Sequence, residues 1–374
     1  MSHDPADGAP ASGALSSVFS VYDVVREDDA IVYYGDPLVD RQTLVQSVWS
    51  IFRERGYEVR LESRPGETVL VAEPADGEDS RGVSWTHVVL TGLTVLTTLY
   101  AGTRWYHVVD PFSLDVLRAL PFVVAVMGVL GVHELGHYLM SRYHGVDASL
   151  PYFIPMPFTP IGTFGAVIRM RGAMPDRKTL FDIGVAGPIA GLVATVVVSA
   201  VGLLLPPISV PPAPPGALEI GFGSPPLLRL IAWGLGALVH HPVRLSYGAG
   251  RAVSPVVFGG KVGMLLTLLN LLPAGQLDGG HVMRALFGRG YERVAVLVPA
   301  ALFALAAYVF VALDAPNAAA IWGMWGLITA LFSFRGTATP LTEGSLDARR
   351  VSVAVVTFFV GVLCFMPVPV HIVG

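Results

Sequence analysis

Two histidines four positions apart, with a glutamate directly after the first, form the run Val132-His133-Glu134-Leu135-Gly136-His137. Residues four apart share one face of an α-helix, so His133 and His137 can offer two imidazoles to one divalent ion, with Glu134 beside them to act on a water. Zinc suits such ligands, and a catalytic zinc also needs a third protein ligand and an open position. The run sits inside a long apolar stretch rather than on a soluble surface helix. The third ligand is therefore sought in another apolar part of the chain.

The segment Asn270-Leu271-Leu272-Pro273-Ala274-Gly275-Gln276-Leu277-Asp278-Gly279-Gly280-His281 closes a later apolar stretch. A carboxylate at membrane depth is costly, so Asp278 is expected to be paired or metal-bound. Pro273 and Gly275 should break the helix and aim Asp278 and Asn270 into the bundle. Two imidazoles and one carboxylate would complete a three-ligand site with a place left for water.

The elements that must position these groups follow from composition. The 374 residues are 53% hydrophobic and 14% charged, with mean hydropathy +0.61. This balance excludes an ordinary soluble protein and predicts an α-helical polytopic membrane protein of six to eight transmembrane helices with a small N-terminal α+β soluble domain. Of the 28 acidic residues, 16 fall in residues 1–84 beside 7 arginines, so an acidic head precedes a mildly basic body. The expected domains are 1–84 and 85–374, with a core at 116–290. A net charge of −4 gives no reason to invoke nucleic acid. Cys364 is the sole cysteine, which excludes an intramolecular disulfide and a cysteine metal site. The N-terminal residues carry neither a basic nor an apolar leader region, so no cleaved signal peptide is expected.

Residues 1–18 read as disordered. Strands are expected at 31–34, 57–61 and 68–71, the last two around a turn at 64–67, with a helix across 39–56 carrying Leu44, Val45, Val48, Trp49 and Phe52 on one face. With no cluster of catalytic residue types, this head reads as a packing module in preference to a regulatory one. About 20 apolar residues cross a bilayer, which predicts spans at 86–106, 116–143, 182–205, 256–275, 291–313, 317–334 and 351–370, and an interfacial or re-entrant helix at 225–241. Arginines after the second, fourth and sixth spans place those loops, the head and the active-site opening on the cytoplasmic side of a cell membrane. Glycine and proline between 145 and 181 suggest a β-like hairpin dipping toward the membrane, able to hold an extended peptide by strand addition; an ordinary surface hairpin fits the pattern equally. Gly187 and Gly191 read as helix-packing residues, and 206–215 as a polyproline-like spacer.

The His133–His137 motif and the Asn270–Gly279 element together resemble the site-2 proteases, intramembrane zinc metalloproteases of peptidase family M50. Gly162–Gly165 and Pro175–Gly191 are similar to the branch that includes plastid and archaeal-type homologues. The resemblance covers roughly residues 116–290. It implies one Zn²⁺ per chain held by His133, His137 and Asp278, with Glu134 as catalytic acid/base and Asn270 as an auxiliary polar residue near the substrate. The implied substrate is a membrane-tethered protein with an unwound transmembrane segment, cut in regulated intramembrane proteolysis. No PDZ-like or CBS-like insert is evident. His281 reads as a neighbour of the ligands or an interface histidine, His144 as solvated, and His240-His241 as remote. The rival readings are a proton-coupled transporter whose buried His/Glu/Asp cluster relays protons, and an unrelated protease with a glutamate as third ligand.

Overall fold

The computed structural model describes residues 8–27, 29–64, 67–74, 83–171, 174–212, 219–248, 250–335, 338, 340–342 and 344–373. Two compact units emerge, one from residues 1–82, 171–177 and 339–345, the other from 83–170, 178–338 and 346–374.

The first unit is built on an antiparallel sheet of β1 (Phe19–Glu27), β2 (Ala30–Pro37), β3 (Tyr57–Arg64) and β4 (Glu67–Pro74), in the order β1-β2-β4-β3. Helix α1 (Arg41–Arg53) covers one face with Leu44, Val48 and Phe52, spaced one turn apart, against Tyr33, Phe19 and Leu70. Strand alternation sends Val32, Val69 and Val71 into a separate cluster. The Tyr33 hydroxyl, carried into this core, donates to Pro10 O at 2.8 Å. On the outside, the Arg64 guanidinium pairs with Glu27 and holds that carboxyl below the usual carboxylate range.

The expected helix and three strands are present. Strand β1 was not anticipated. The expectation of disorder over 1–18 is also corrected for residues 8–18: Ser12–Leu15 is a 3-10 turn, and Leu15 and Val18 are buried in the head's core, because β1 and β2 offer an apolar face to cover. Pro65 and Gly66 of the expected turn, residues 1–7 and the Val45 side chain lie outside the described residues.

The second unit is helical. Its helices are α2 (Trp85–Trp105), α3 (Leu120–Tyr143), α4 (Arg177–Leu204), α5 (Pro226–Val239), α6 (Pro255–Asn270), α7 (Asp278–Phe287), α8 (Tyr291–Ala312), α9 (Pro316–Arg335) and α10 (Ala348–Leu363). Among the described residues, Leu114–Tyr143, Arg177–Leu204 and Tyr291–Ala312 are long and apolar enough to cross a membrane.

Two expected spans stop early. Helix α6 ends at Asn270, three residues before Pro273, and the chain runs irregularly until α7 begins at Asp278. Helix α10 ends at Leu363 because Pro367 and Pro369 follow, and Val370–Val373 instead pairs with Glu219–Phe222. At 1.5 Å per residue, a 16-residue helix such as α6 reaches about 24 Å, but most of α6 is buried among its neighbours. Its core face, Phe258 and Val262, packs against Phe122, Val126 and Leu130 of α3.

The expected hairpin forms. Tyr152–Pro155 pairs with Thr163–Val167, with Ile154 opposite Gly165. Helix α2 holds it: Thr97 Oγ1 donates to Gly162 O at 2.6 Å, Trp105 Nε1 donates to Pro160 O at 2.7 Å, and the His87 ring stacks on Tyr152 at 4.0 Å. In the spacer, Ile208–Ser209 pairs with Arg251–Ala252, while residues 213–215 lie outside the described residues.

Candidate metal centre

Helix α3 inverts the ordinary distribution of a soluble helix. Val132, Leu135 and Leu139 point outward at 41%, 42% and 57% exposure, whereas His133, Glu134 and His137 are buried. A three-to-four residue period with apolar groups outside and polar groups inside is what lipid demands of a helix lining a polar interior.

The inward face meets Asp278 at the first turn of α7. Asp278 Oδ2 is 3.2 Å from His133 Nε2 and 3.2 Å from His137 Nε2, and the two Nε2 atoms are 3.3 Å apart. Protonation at the histidines is constrained by their other partners. Ile183 O, on α4, can only accept, so the 2.8 Å contact with His137 places the proton on Nδ1 and leaves a lone pair on Nε2. Asn270 Nδ2 lies 3.1 Å from His133 Nε2 and can only donate, so that nitrogen is an acceptor as well. Three electron-rich atoms thus converge in a buried place, and Asp278 Oδ2 has no hydrogen-bond donor.

A divalent cation resolves this crowding, and the triangle fits zinc. Ligand bonds of about 2.0–2.1 Å at tetrahedral angles separate the ligand atoms by about 3.3–3.4 Å. Among the described residues, His133, His137 and Asp278 form a group able to hold a metal ion.

Helix α4 supports the two rings from behind. A Cβ at Gly187 would collide with the His137 imidazole, including Nε2, and one at Gly191 would lie 2.8 Å from His133 Nδ1. These glycines do pack helices closely, as expected. What they pack against is the pair of imidazoles, which spacing alone did not indicate. Pro188 follows Gly187 and removes the amide that would have bonded Gly184 O, in the turn where Ile183 O receives His137.

Glu134 lies on the same face, with the backbone amide of Ile168, just past the hairpin, as a hydrogen-bond neighbour. No sequence signal marked Ile168 or Ile183, since both act through backbone atoms. His281 is buried in α7 with its Cβ facing Gly184, outside the three-atom cluster. His240 and His241 follow the end of α5 and are likewise outside it.

His144 requires a correction. It is not solvated: Nε2 lies 3.1 Å from Asp182 Oδ2, and Arg350 clamps the same carboxylate at 2.8 and 2.6 Å. Arg350 also pairs with Asp347. The cluster joins the C-terminal end of α3 to the second turn of α4 and the first turn of α10, which brings a carboxylate and a guanidinium to a histidine that the local sequence shows only beside Arg142.

Residues 121–313 match peptidase family M50, just over half of the chain. The chain belongs to this family. The M50 chain is 33% identical over 272 residues to a protein named "Probable zinc metalloprotease EGY1, chloroplastic" of Arabidopsis thaliana, covering 70% of this chain and 46% of that one. It is 37% identical over 172 residues to the EGY1 protein of Oryza sativa subsp. japonica, covering 46% and 28%. To "Probable zinc metalloprotease EGY2, chloroplastic" of Arabidopsis thaliana it is 27% identical over 331 residues, covering 84% and 54%. The chain thus spans about half or less of the length of these curated relatives. No solved structure matches it. The resemblance to the plastid-type site-2 protease branch is borne out, and the transporter reading finds no support in the family or its named members.

Proposed function

We propose that this M50 chain is an intramembrane zinc endopeptidase that hydrolyses peptide bonds in or near transmembrane segments of membrane-tethered proteins. The observation that carries the reading is the convergence of His133 Nε2, His137 Nε2 and Asp278 Oδ2, all acceptors, at 3.2–3.3 Å from one another. In this reading His133, His137 and Asp278 hold one zinc ion, which when bound polarises the scissile carbonyl and acidifies a water. The Glu134 carboxylate takes the proton from that water and returns it to the leaving amine nitrogen. The Asn270 amide, beside His133 Nε2, offers its N–H donors to the scissile carbonyl oxygen. An intact substrate helix shields its peptide bonds, so the substrate is held unwound along the hairpin edge.

We assign the head to residues 1–84 and the protease body to 85–374, with α2, α3, α4, α6, α8, α9 and α10 spanning and α5 lying at the interface. The head and the opening toward Glu134 face the side bearing the arginine-rich loops, the cytoplasm if the chain resides in a cell membrane. The relatives' printed names are chloroplastic and lend no support to the cell membrane in particular; in a plastid the same charge rule selects the side from which the chain inserts.

Zinc per chain, measured on detergent-purified wild type and Asp278→Ala, tests the metal assignment without a known substrate. Wild type should hold close to one zinc, and the variant, short of a ligand, should bind it more than about 100-fold more weakly, beyond the loss typical of a supporting contact. Zinc missing from folded wild type would overturn the protease reading, and unchanged affinity in Asp278→Ala would remove Asp278 from the site. The hairpin's part is tested by Gly165→Pro. Gly165 sits at φ 115° and its N–H donates to Thr163 Oγ1 at 3.0 Å, and proline supplies neither that φ nor that donor. The variant should keep its zinc and lose most cleavage of a membrane-tethered test protein; wild-type cleavage would take the hairpin out of the mechanism.

A further inference from the structure

At the Pro255 end of α6 lies a cavity of about 940 Å³ whose wall combines an aromatic floor with cations. Trp105, Phe222 and Phe258 form the floor, their ring centroids 4.3–5.4 Å apart. Arg104, Arg251 and Lys261 supply the charge, and no Asp or Glu lines the cavity among the described residues. Lys261 is half-buried on α6, and its ammonium donates to Phe222 O at 3.2 Å. An ammonium has three N–H bonds to place. A cation withdrawn from water without a counter-charge is costly unless something anionic meets it. Lys261 lies six residues, about 9 Å, into α6, and Asn270 lies nine residues, about 14 Å, farther along the same helix. The cavity and the metal centre therefore occupy different ends of α6.

We infer that this cavity binds an anionic phospholipid, its phosphate held by Lys261, Arg104 and Arg251 and the start of its acyl chain lying over Trp105, Phe222 and Phe258. Two observations favour a lipid over an acidic peptide. Trp105 and Arg104 end an apolar helix, the position at which such residues anchor a protein to the membrane–water interface. Phe158, in the cavity wall, is 90% exposed, an apolar group that an acyl chain would cover. A phosphate diester accepts several charge-assisted hydrogen bonds at once, and its tail matches the floor. The inference does not depend on the zinc reading, because none of these residues touches the metal centre.

The test uses the full chain in nanodiscs of phosphatidylcholine with or without phosphatidylglycerol. Retained lipid is counted by native mass spectrometry, and the thermal midpoint is followed in parallel. Wild type should retain phosphatidylglycerol selectively and melt higher in its presence. Lys261→Met should weaken that retention about tenfold, and Arg251→Gln, at the exposed rim and harmless to the core, should weaken it in the same direction. Glycerol phosphate, which has the headgroup without the tail, should not replace the lipid. Equal retention of both lipids by wild type would overturn the proposal. So would unchanged selectivity in Arg251→Gln together with a folded Lys261→Met, or displacement of the lipid by an acidic peptide or by glycerol phosphate at similar concentration.

Discussion

Glu134→Gln should keep the wild-type zinc content while its cleavage of a membrane-tethered test protein falls about 10²–10⁴-fold. The amide has the shape of the carboxylate and can still sit beside Ile168 N–H and within the buried face of α3, but it cannot accept and return a proton at neutral pH. Because Glu134 is outside the three-atom ligand cluster, binding and chemistry separate in this one variant. The measurement pairs zinc per chain with the rate of product formation in proteoliposomes. Loss of zinc along with activity would make Glu134 a ligand or a structural support, and cleavage at the wild-type rate would move proton transfer to a different group.

The second large effect is expected at a residue that binds nothing itself. In a helix interior, glycine to alanine ordinarily gains about 1 kcal/mol, so Gly187→Ala in α4 would be stabilising on propensity alone. The added Cβ, however, would land on the His137 imidazole and its ligating nitrogen. Overpacking of this kind costs about 1–3 kcal/mol, and the ring can yield only by breaking its 2.8 Å bond to Ile183 O or leaving its place opposite Asp278. Zinc affinity should drop about 100-fold or more, beyond the effect of losing an ordinary supporting contact. A Gly187→Ala protein that keeps full zinc and melts higher than wild type would show that α4 moves aside and that propensity wins.

What could be read in advance was whatever declares itself through residue type and spacing. His133, Glu134 and His137 share a face because four residues make about one helical turn, and Asp278 stood out because a carboxylate is rare in an apolar stretch. The structure brings all of them, with Asn270, to one place. The contributions of Ile168 and Ile183 were illegible, since any residue has an amide and a carbonyl and only tertiary placement decides which one meets a side chain. Gly187 and Gly191 were read for their size, correctly, but not for what they make room for. His144 was misread because its partners, Asp182 and Arg350, lie 38 and 206 positions away in the chain. The early ends of α6 and α10 were visible in Pro273, Pro367 and Pro369 and were overridden by the length that a span was expected to need. Strand β1 was missed for a related reason: it carries Asp23, Arg26 and Glu27 among its apolar residues, so its pattern alternates poorly, and pairing with β2 rather than propensity forms it.

The two intervening letters of the His-Glu-x-x-His pattern are not equally free in this chain. Leu135 points outward at 42% exposure, so other apolar side chains should serve there. Gly136 faces α4, where a Cβ would lie 2.7 Å from Ala186 O and 2.9 Å from Ala190 Cβ. Any larger residue would wedge α3 away from the helix that holds its histidine ring. The pattern, written with three specified letters out of five, therefore carries a fourth here, and a random occurrence of the five-letter string would have to satisfy that extra condition before it could work on this backbone.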